Sequence, residues 1–308
     1  VGYLATIAAD IPPLKVVWDC ANGAVGAVLA DVVELLRGQH TLLNSEVDGR
    51  FPSHHPDPSV AANLGQLQAA VLQRGADLGI AFDGDGDRIG VVDSTGQIIW
   101  PDQLLLFLAS EVLAGCPDAT IVGDVKSSRV LFDGIRNHGG RPVMAPSGYV
   151  LIRQSMLQEG ALLAGEMSGH ILFADCWHRT DDAMFAALRV IASIGRQNRT
   201  LAEFRMSLPV TVATPELRLP CAERHKNSIV REIAERLRRS GADFDTTDGL
   251  RVTRPEGWWL LRRSGTEPKL SVRCEAGSLE GLESLKRELA SQLRQSGLDI
   301  GALMAARN

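Results

Sequence analysis

Apolar positions along the chain alternate between strand-like runs and helix-like spacings. The run K-V-V-W-D at residues 15–19 precedes a glycine-containing turn, and apolar residues then recur at helical spacing over 27–36. A second unit of this layout begins at residue 119, where A-T-I-V-G-D-V leads through polar K-S-S-R into V-L-F-D-G-I. The repetition predicts two related α/β domains.

Each half also contains two apolar runs that enclose a polar loop. The loop D-G-D-G-D-R lies between A-D-L-G-I-A-F and I-G-V-V-D, and the loop E-M-S-G-H lies between A-L-L-A-G and I-L-F-A-D. Strands that hold a short polar loop at their ends present reactive groups with precision. We therefore expect the chemistry of this protein at these two loops.

The pattern changes after residue 208, where strand-like runs outnumber helical ones. Only residues 227–240 and 279–296 have helical spacing there, which indicates an antiparallel sheet with two helices. The predicted fold class is α/β: two related mixed α/β sandwich domains followed by a smaller α+β domain with an antiparallel sheet. The predicted domain ranges are 1–98, 99–208 and 209–308.

Composition narrows the classes of function. Of the 308 residues, 45% are hydrophobic and 22% charged, as in soluble globular proteins, and the net charge of −5 argues against nucleic-acid binding. The five cysteines form no C-x-x-C pair, which favours reduced thiols. Neither a signal-peptide pattern nor an apolar run of about 18 residues occurs. We expect a cytoplasmic monomer without a nucleic-acid or membrane partner.

The loop D-G-D-G-D-R predicts a metal site. Asp83, Asp85 and Asp87 alternate with glycines, so three carboxylates can converge on one side of an extended chain. Hard oxygen ligands favour Mg²⁺ or Ca²⁺. An EF-hand is excluded because Arg88 stands where its glycine belongs and Ser94 where its glutamate belongs. Arg88 can pair with the acids or reach a phosphate.

Two further groups of polar residues suit a sugar ligand. Glu166, Ser168 and His170 in G-E-M-S-G-H offer an acceptor, a hydroxyl and an imidazole for sugar hydroxyls, although such residues also occur in structural roles and Met167 can simply pack. Lys126 follows a predicted strand. It can be a surface lysine, or a cation or acid/base group beside a phosphorylated sugar.

A third polar segment, L-R-R-S-G-T-E-P, follows an apolar strand near the C-terminus. Arg262, Ser264, Gly265 and Thr266 supply a guanidinium, two hydroxyls and a flexible turn whose amides can face an anion. No Walker sequence G-x-x-x-x-G-K-[ST] occurs, so nucleotide hydrolysis has no support. The segment predicts a phosphate-binding turn.

In their order along the chain, D-G-D-G-D-R, D-V-K, G-E-M-S-G-H and R-R-S-G-T-E-P resemble the α-D-phosphohexomutase family, in particular its phosphomannomutase/phosphoglucomutase branch. The resemblance covers essentially the whole chain and corresponds to the second, third and fourth domains of the family. It implies a mutase that interconverts hexose 1-phosphate and 6-phosphate. A phosphoserine phosphorylates the sugar, Mg²⁺ assists, and glucose 1,6-bisphosphate is the intermediate and activator.

The resemblance also implies a role for each matching residue. The metal ligands would be Asp83, Asp85 and Asp87, and the catalytic groups Lys126, His170 and Arg88. The substrate-binding residues would be Arg88, Lys126, Tyr149, Glu166, Met167, Ser168, Gly169, His170, Arg262, Arg263, Ser264, Gly265 and Thr266.

The sequence departs from the family pattern in two places. The phosphoserine loop T-A-S-H-N-P is absent, and Ser53 in P-S-H-H-P belongs to a different family turn, F-P-x-H-H-P-D-P. We therefore expect the nucleophile on a further N-terminal domain, and this chain alone to be inactive. Tyr149 stands where the branch often has histidine; it can donate and accept a hydrogen bond but cannot become cationic. The preferred sugar is therefore open.

Two alternative functions remain. Glucosamine phosphate could replace mannose or glucose phosphate, although Met167 favours the mannose/glucose branch because the glucosamine branch usually has glutamine there. A phosphosugar-binding protein without catalysis would retain the metal and phosphate sites and lack the transferring serine.

Overall fold

Three β-sheets organise the described part of the chain in the computed structural model, which describes residues 11–175, 177–265 and 267–306. The described residues form two compact units. One unit takes in the residues up to Val143 together with Gly148–Leu208, and it contains the first two sheets except for residues 144–145 at the end of one strand. The other takes in Met144–Ser147 and the residues from Pro209 onward, and it contains the third sheet.

The first sheet has five strands in the order β2-β1-β3-β4-β5. Strands β1, β2 and β3 run parallel, and β4 and β5 continue the sheet antiparallel. The strands are β1 (Leu14–Asp19), β2 (Gly38–Leu43), β3 (Leu78–Phe82), β4 (Ile89–Asp93) and β5 (Ile98–Ile99). The helices of this segment are α1 (Gly26–Val33), a 3₁₀ turn (Ala61–Leu64) and α2 (Gly65–Arg74).

The second sheet repeats this arrangement in the order β7-β6-β8-β9, which is again second, first, third and fourth strand along the chain. Its strands are β6 (Thr120–Asp124), β7 (Arg141–Ala145), β8 (Leu163–Gly165) and β9 (Ile171–Phe173). The accompanying helices are α3 (Pro101–Gly115), α4 (Arg129–Asn137), α5 (Tyr149–Glu159), α6 (Ala183–Gln197) and α7 (Leu201–Ser207). The prediction of two related α/β domains is confirmed.

The two sheets share a hydrophobic core. Trp18 and Phe82 stack with ring centroids 6.2 Å apart, and Phe107 of α3 meets Phe204 of α7 edge-on at 5.2 Å. Every residue of β3 and β4 is buried. Because helices cover both faces of such strands, the strands read as continuous apolar runs and not as alternating ones. These rigid strands hold the loop between them.

The third sheet lies in the C-terminal unit and is antiparallel, in the order β10-β15-β14-β13-β12, with β11 also paired to β15. Its strands are β10 (Val212–Ala213), β11 (Leu217–Pro220), β12 (Phe244–Asp245), β13 (Leu250–Arg254), β14 (Gly257–Arg263) and β15 (Lys269–Ala276). Its helices are α8 (Glu223–Arg239), α9 (Leu279–Gln295) and α10 (Gly301–Ala305). The predicted fold class is therefore confirmed.

Helix α8 begins earlier than the predicted residue 227. Its first turn, E-R-H-K, is polar and so gives no apolar spacing from which a helix start could be inferred. Within the described part of the chain, no helix is both long enough and apolar enough to cross a membrane.

Candidate functional site

The loop between β3 and β4 wraps around the side chain of Asp83. This carboxylate is 1% exposed, and its Oδ1 accepts hydrogen bonds from the amides of Gly86, Asp87 and Arg88 at 2.9, 3.0 and 3.1 Å. Gly86 has a φ of +85°, which glycine adopts without strain. The glycine thus lets the backbone fold back on the first acid of the loop.

The three acids of the loop converge. Carboxylate oxygens of Asp83, Asp85 and Asp87 lie within 4.8 Å of one another. Oδ1 of Asp87 is buried and has no hydrogen-bond partner among the described residues. Burial first, and then the adjacent Asp83, raise the pKa of Asp87 to about 6. A hard divalent cation fits these donors, because it would satisfy the unpartnered oxygen and offset the mutual repulsion.

Asp83 is the fixed member of this trio. Its burial alone would raise its pKa, but hydrogen bonds from the Arg88 amide and guanidinium outweigh burial, so its pKa lies below the ordinary value. The pKa values of the two neighbouring acids, Asp83 and Asp87, are therefore shifted in opposite directions. One carboxylate is held ionised by the protein itself, and the other gains from an added cation.

Arg88 is held among acids at the end of the loop. Its Nε donates to Asp83 Oδ2 at 2.7 Å, and its Nη1 lies 3.4 Å from Asp57 Oδ1. Asp57 belongs to the turn F-P-S-H-H-P-D-P, and sequence reasoning missed it. In the same turn, Ser53 is exposed and the neighbouring His54 pairs with the buried Asp19 at 2.9 Å.

The G-E-M-S-G-H loop connects β8 and β9 and fixes Glu166. This side chain is nearly buried, at 7% exposure. Its Oε2 accepts from the Gly148 amide at 2.9 Å, and its Oε1 accepts from the Ser168 hydroxyl at 2.7 Å. Met167 is half-buried between them. The predicted acceptor and hydroxyl are therefore directly bonded to each other.

Backbone contacts join the loops of the two sheets. The Ile89 amide donates to the Gly169 carbonyl at 3.1 Å, and Arg88 and His170 form an antiparallel bridge. Gly169 has a φ of +102°, and a Cβ there would lie 2.7 Å from the Ile89 carbonyl oxygen. Only glycine permits this approach, which brings the predicted metal loop and sugar loop together.

His170 lies among three carboxylates. Its Nδ1 is 2.8 Å from Asp181 Oδ2 and 3.7 Å from Asp87 Oδ2, while its Nε2 is 3.7 Å from Glu166 Oε1. The ring of Tyr149 is 5.8 Å away by centroid, and burial first, then Asp181, raise the pKa of Tyr149. Asp181 was missed because it belongs to no motif.

Lys126 lies beyond the carboxyl end of β6. Its Nζ is 3.7 Å from Asp124 Oδ2, and the residue is 9% exposed. Strands β6 and β8 pair in parallel, so Lys126 and Glu166 both follow the carboxyl ends of neighbouring strands. Such ends of α/β sheets are where ligands bind. The alternative interpretation of Lys126 as a surface lysine is therefore wrong, because this side chain is buried.

The two arginines of R-R-S-G-T-E-P end β14 in the C-terminal unit. Arg262 donates from Nε to Asp248 Oδ2 at 2.8 Å, and Arg263 Nη1 contacts Asn227 Oδ1. Asp248 was missed for the same reason as Asp181, because nothing near it in the sequence marks it. A carboxylate partner holds the Arg262 guanidinium in one orientation.

The turn after these arginines is closed by its own hydrogen bonds. The Glu267 amide donates to Ser264 Oγ at 3.1 Å, and the Ser264 amide donates to the Lys269 carbonyl at 3.0 Å. Gly265 is exposed. Thr266, also predicted to bind phosphate, lies outside the described residues.

Comparisons with known proteins match this architecture. Three models of phosphoglucomutase/phosphomannomutase match the chain: alpha/beta/alpha domain II at residues 3–96, alpha/beta/alpha domain III at 100–211 and the C-terminal domain at 216–292. The chain belongs to the phosphoglucomutase/phosphomannomutase family. Domain I of this family is absent from the matches.

Relatives in this family are similar over most of the chain. A phosphomannomutase/phosphoglucomutase of Pseudomonas aeruginosa is 42% identical over 95% of the chain, and a phosphoglucomutase of Neisseria meningitidis is 38% identical over 92%. The chain spans 64% and 62% of their lengths. A crystal structure of a family protein from Burkholderia thailandensis, 37% identical, superposes with a TM-score of 0.89 over 97% of this chain and 65% of that one.

Proposed function

We propose that this chain is the catalytic and substrate-binding part of a phosphohexomutase that interconverts hexose 1-phosphate and 6-phosphate, with mannose and glucose preferred. The observation that carries the proposal is the convergence of Asp83, Asp85 and Asp87 beside Arg88 and His170. Phosphoryl transfer needs such a combination of a metal site, a cation and a proton-transfer group. The names of the relatives agree with it.

Mg²⁺ is the proposed metal, with Asp83, Asp85 and Asp87 as its protein ligands. When bound, it would supply positive charge that offsets the negative charge of a transferring phosphoryl group. Arg88 would contribute a second positive charge there. Its guanidinium is 27% exposed and is oriented by Asp83 and Asp57, so it can meet a ligand without first having to be ordered.

The reaction proposed from family membership has two phosphoryl transfers. In the first, a phosphoserine outside this sequence gives its phosphoryl group to a sugar hydroxyl; the hydroxyl proton passes to a base, and the released serine oxygen takes a proton. In the second, the serine hydroxyl loses its proton to a base as it accepts the other phosphoryl group of the 1,6-bisphosphate, and the released sugar oxygen takes a proton. His170 and Lys126 are the proposed proton-transfer groups.

Substrate recognition is divided among the remaining residues. Glu166 and Ser168 would read sugar hydroxyls, with Met167 and Gly169 shaping their loop. Tyr149, near His170, would contribute a neutral hydroxyl at the position where the resembling branch often has histidine. The non-reacting phosphate would bind at the C-terminal turn, whose proposed residues are Arg262, Arg263, Ser264, Gly265 and Thr266.

An activity assay on the whole protein that contains this chain tests the proposal. Mannose 1-phosphate, glucose 1-phosphate and glucosamine 1-phosphate would each be supplied with Mg²⁺ and glucose 1,6-bisphosphate, and the 6-phosphate product measured by a coupled dehydrogenase or by ³¹P NMR. We expect Mg²⁺-dependent turnover of the mannose and glucose esters. Faster turnover of the glucosamine ester would replace the proposed substrate, and saturable binding without turnover would favour the binding-protein alternative.

A further inference from the structure

A lysine side chain is buried beside the predicted phosphate turn in a place where a lysine is unfavourable. Lys226 is 4% exposed and lies in the first turn of α8. A cation near a helix N-terminus opposes the helix dipole, and a buried ammonium is costly unless its donors are satisfied. The helix itself gains nothing from either feature, so the reason for this lysine lies in what it contacts.

The Lys226 ammonium is bonded to both ends of the turn. Its Nζ donates to the carbonyl of Ser264 at 2.8 Å and to the carbonyl of Glu267 at 2.9 Å. A third contact runs to Glu223 Oε2 at 2.7 Å, but the Glu223 side chain is 74% exposed. The loop carbonyls are therefore the better-shielded partners, and one cation contacts both the first and the last residue of a four-residue turn.

These contacts set the direction of an amide in the turn. In a trans peptide the carbonyl and the following N–H point in opposite directions, so drawing the Ser264 oxygen toward Lys226 directs the Gly265 N–H away from it. Among the described residues, apart from Gly265 itself and its chain neighbours, no atom lies within 4 Å of the position that a Gly265 Cβ would take. The ammonium also polarises this peptide and strengthens its N–H as a donor to an anion.

The acid of the same turn does not cancel this positive field. Glu267 Oε1 accepts from Lys269 at 2.7 Å, and its Oε2 accepts from Arg218 at 2.7 Å. The hydrogen bond from Lys269 comes first among the causes that lower the Glu267 pKa, and Arg218 adds to it. The glutamate is thus compensated by its own two cations and does not neutralise Lys226, whose ion pair is with the exposed Glu223.

We propose that Lys226 is a positioning residue for phosphate recognition: it holds the Ser264–Gly265 peptide so that the amide faces the non-reacting phosphate of the substrate. This inference rests on the proposed function of the turn. It adds a residue from α8, outside the R-R-S-G-T-E-P segment, to the machinery that determines substrate affinity.

The test compares Lys226→Met with a matched variant, Lys286→Met. Lys286 is another buried lysine of the same unit, 2% exposed, whose Nζ donates to the Ala306 carbonyl at 2.8 Å and to Glu283 at 2.7 Å. In the whole enzyme, Lys226→Met should raise KM for mannose 1-phosphate and the inhibition constant of inorganic phosphate about tenfold, with little change in kcat. Lys286→Met should lower Tm but leave both constants unchanged.

A measurement on the wild-type protein covers the case in which Lys226→Met does not fold. Inorganic phosphate should slow hydrogen exchange of the Gly265 amide, and exchange at unchanged rate with phosphate bound would overturn the proposal. A third variant, Arg262→Ala, distinguishes an error in the role of Lys226 from an error in the proposed role of the turn. If Arg262→Ala weakens phosphate binding and Lys226→Met does not, the positioning role of Lys226 is wrong. If neither variant weakens it, the assignment of this turn as the phosphate site is wrong.

Discussion

Replacing Asp87 by asparagine should stabilise the metal-free protein while removing its response to Mg²⁺. Burial and neighbouring acids raise the pKa of Asp87 from 3.8 to about 6, which corresponds to an upper limit of about 3 kcal/mol at neutral pH. The side chain is 34% exposed, so screening reduces this to about 1 kcal/mol. For a unit of this size, that is a rise in Tm of about 2–4 °C.

The pH dependence of this gain has a defined sign. Because the folded-state pKa of Asp87 is raised, the folded protein holds more protons than the unfolded chain between pH 3.8 and about 6, and the Asp87 contribution to stability falls as pH rises through that window. Asparagine does not titrate. The Tm advantage of Asp87→Asn in EDTA should therefore be small near pH 4 and complete above pH 6.

Asp83→Asn is the matched control, and its effect on the stability of the metal-free protein should have the opposite sign. Asp83 is 1% exposed, accepts three amides and pairs with Arg88, so loss of its charge should destabilise the metal-free protein by about 2 kcal/mol and lower Tm by about 4–8 °C. The assay is thermal unfolding at pH 5 and 7.5 in EDTA and in Mg²⁺. If Asp87→Asn lowers Tm in EDTA at pH 7.5, or keeps the full Mg²⁺ response, the interpretation of this loop as a metal site is refuted.

Three further changes test other parts of the site. Arg262→Ala should raise KM about tenfold or more with kcat little affected, because a charge-assisted phosphate contact is lost; steady-state kinetics with an unaltered KM would remove this assignment. Tyr149→His should shift the ratio of kcat/KM between mannose and glucose esters, and an identical ratio would show that this side chain does not read the sugar. Gly169→Ala should cost about 2 kcal/mol or more, since its Cβ would lie 2.7 Å from the Ile89 carbonyl at a φ of +102°, whereas Gly115→Ala has open space at the end of α3 and should not lower the denaturation midpoint.

The fold was predictable where a strand is both buried and short. The runs that became β1, β3 and β4 are continuously apolar and end at polar loops, so their type followed from pattern alone. Helix α3 is different, because ten of its fifteen residues are buried and its own apolar side chains are not confined to one face. Periodicity gives no clear helical signal in such a segment.

The site was predictable where its residues are close in sequence. Asp83, Asp85 and Asp87 share one loop, and their convergence followed from their spacing. Asp57 and Asp181 are single acids, 31 residues from Arg88 and 11 residues from His170, and only the folding of the intervening loops brings each pair into contact. No local pattern marks such a residue. The roles of all these residues, and the predicted domain limits, stay predictions.

The hydrogen bond between the Ile89 amide and the Gly169 carbonyl also affects where chimeras between members of this family can be joined. A second main-chain contact, from the Ala183 amide at the start of α6 to the Gly86 carbonyl at 3.2 Å, also joins the first and second α/β parts of the chain. In a chimera of two parents with a crossover near residue 98, the two partners in each of these contacts would come from different parents. A crossover after Leu208 would keep both of these main-chain contacts within one parent.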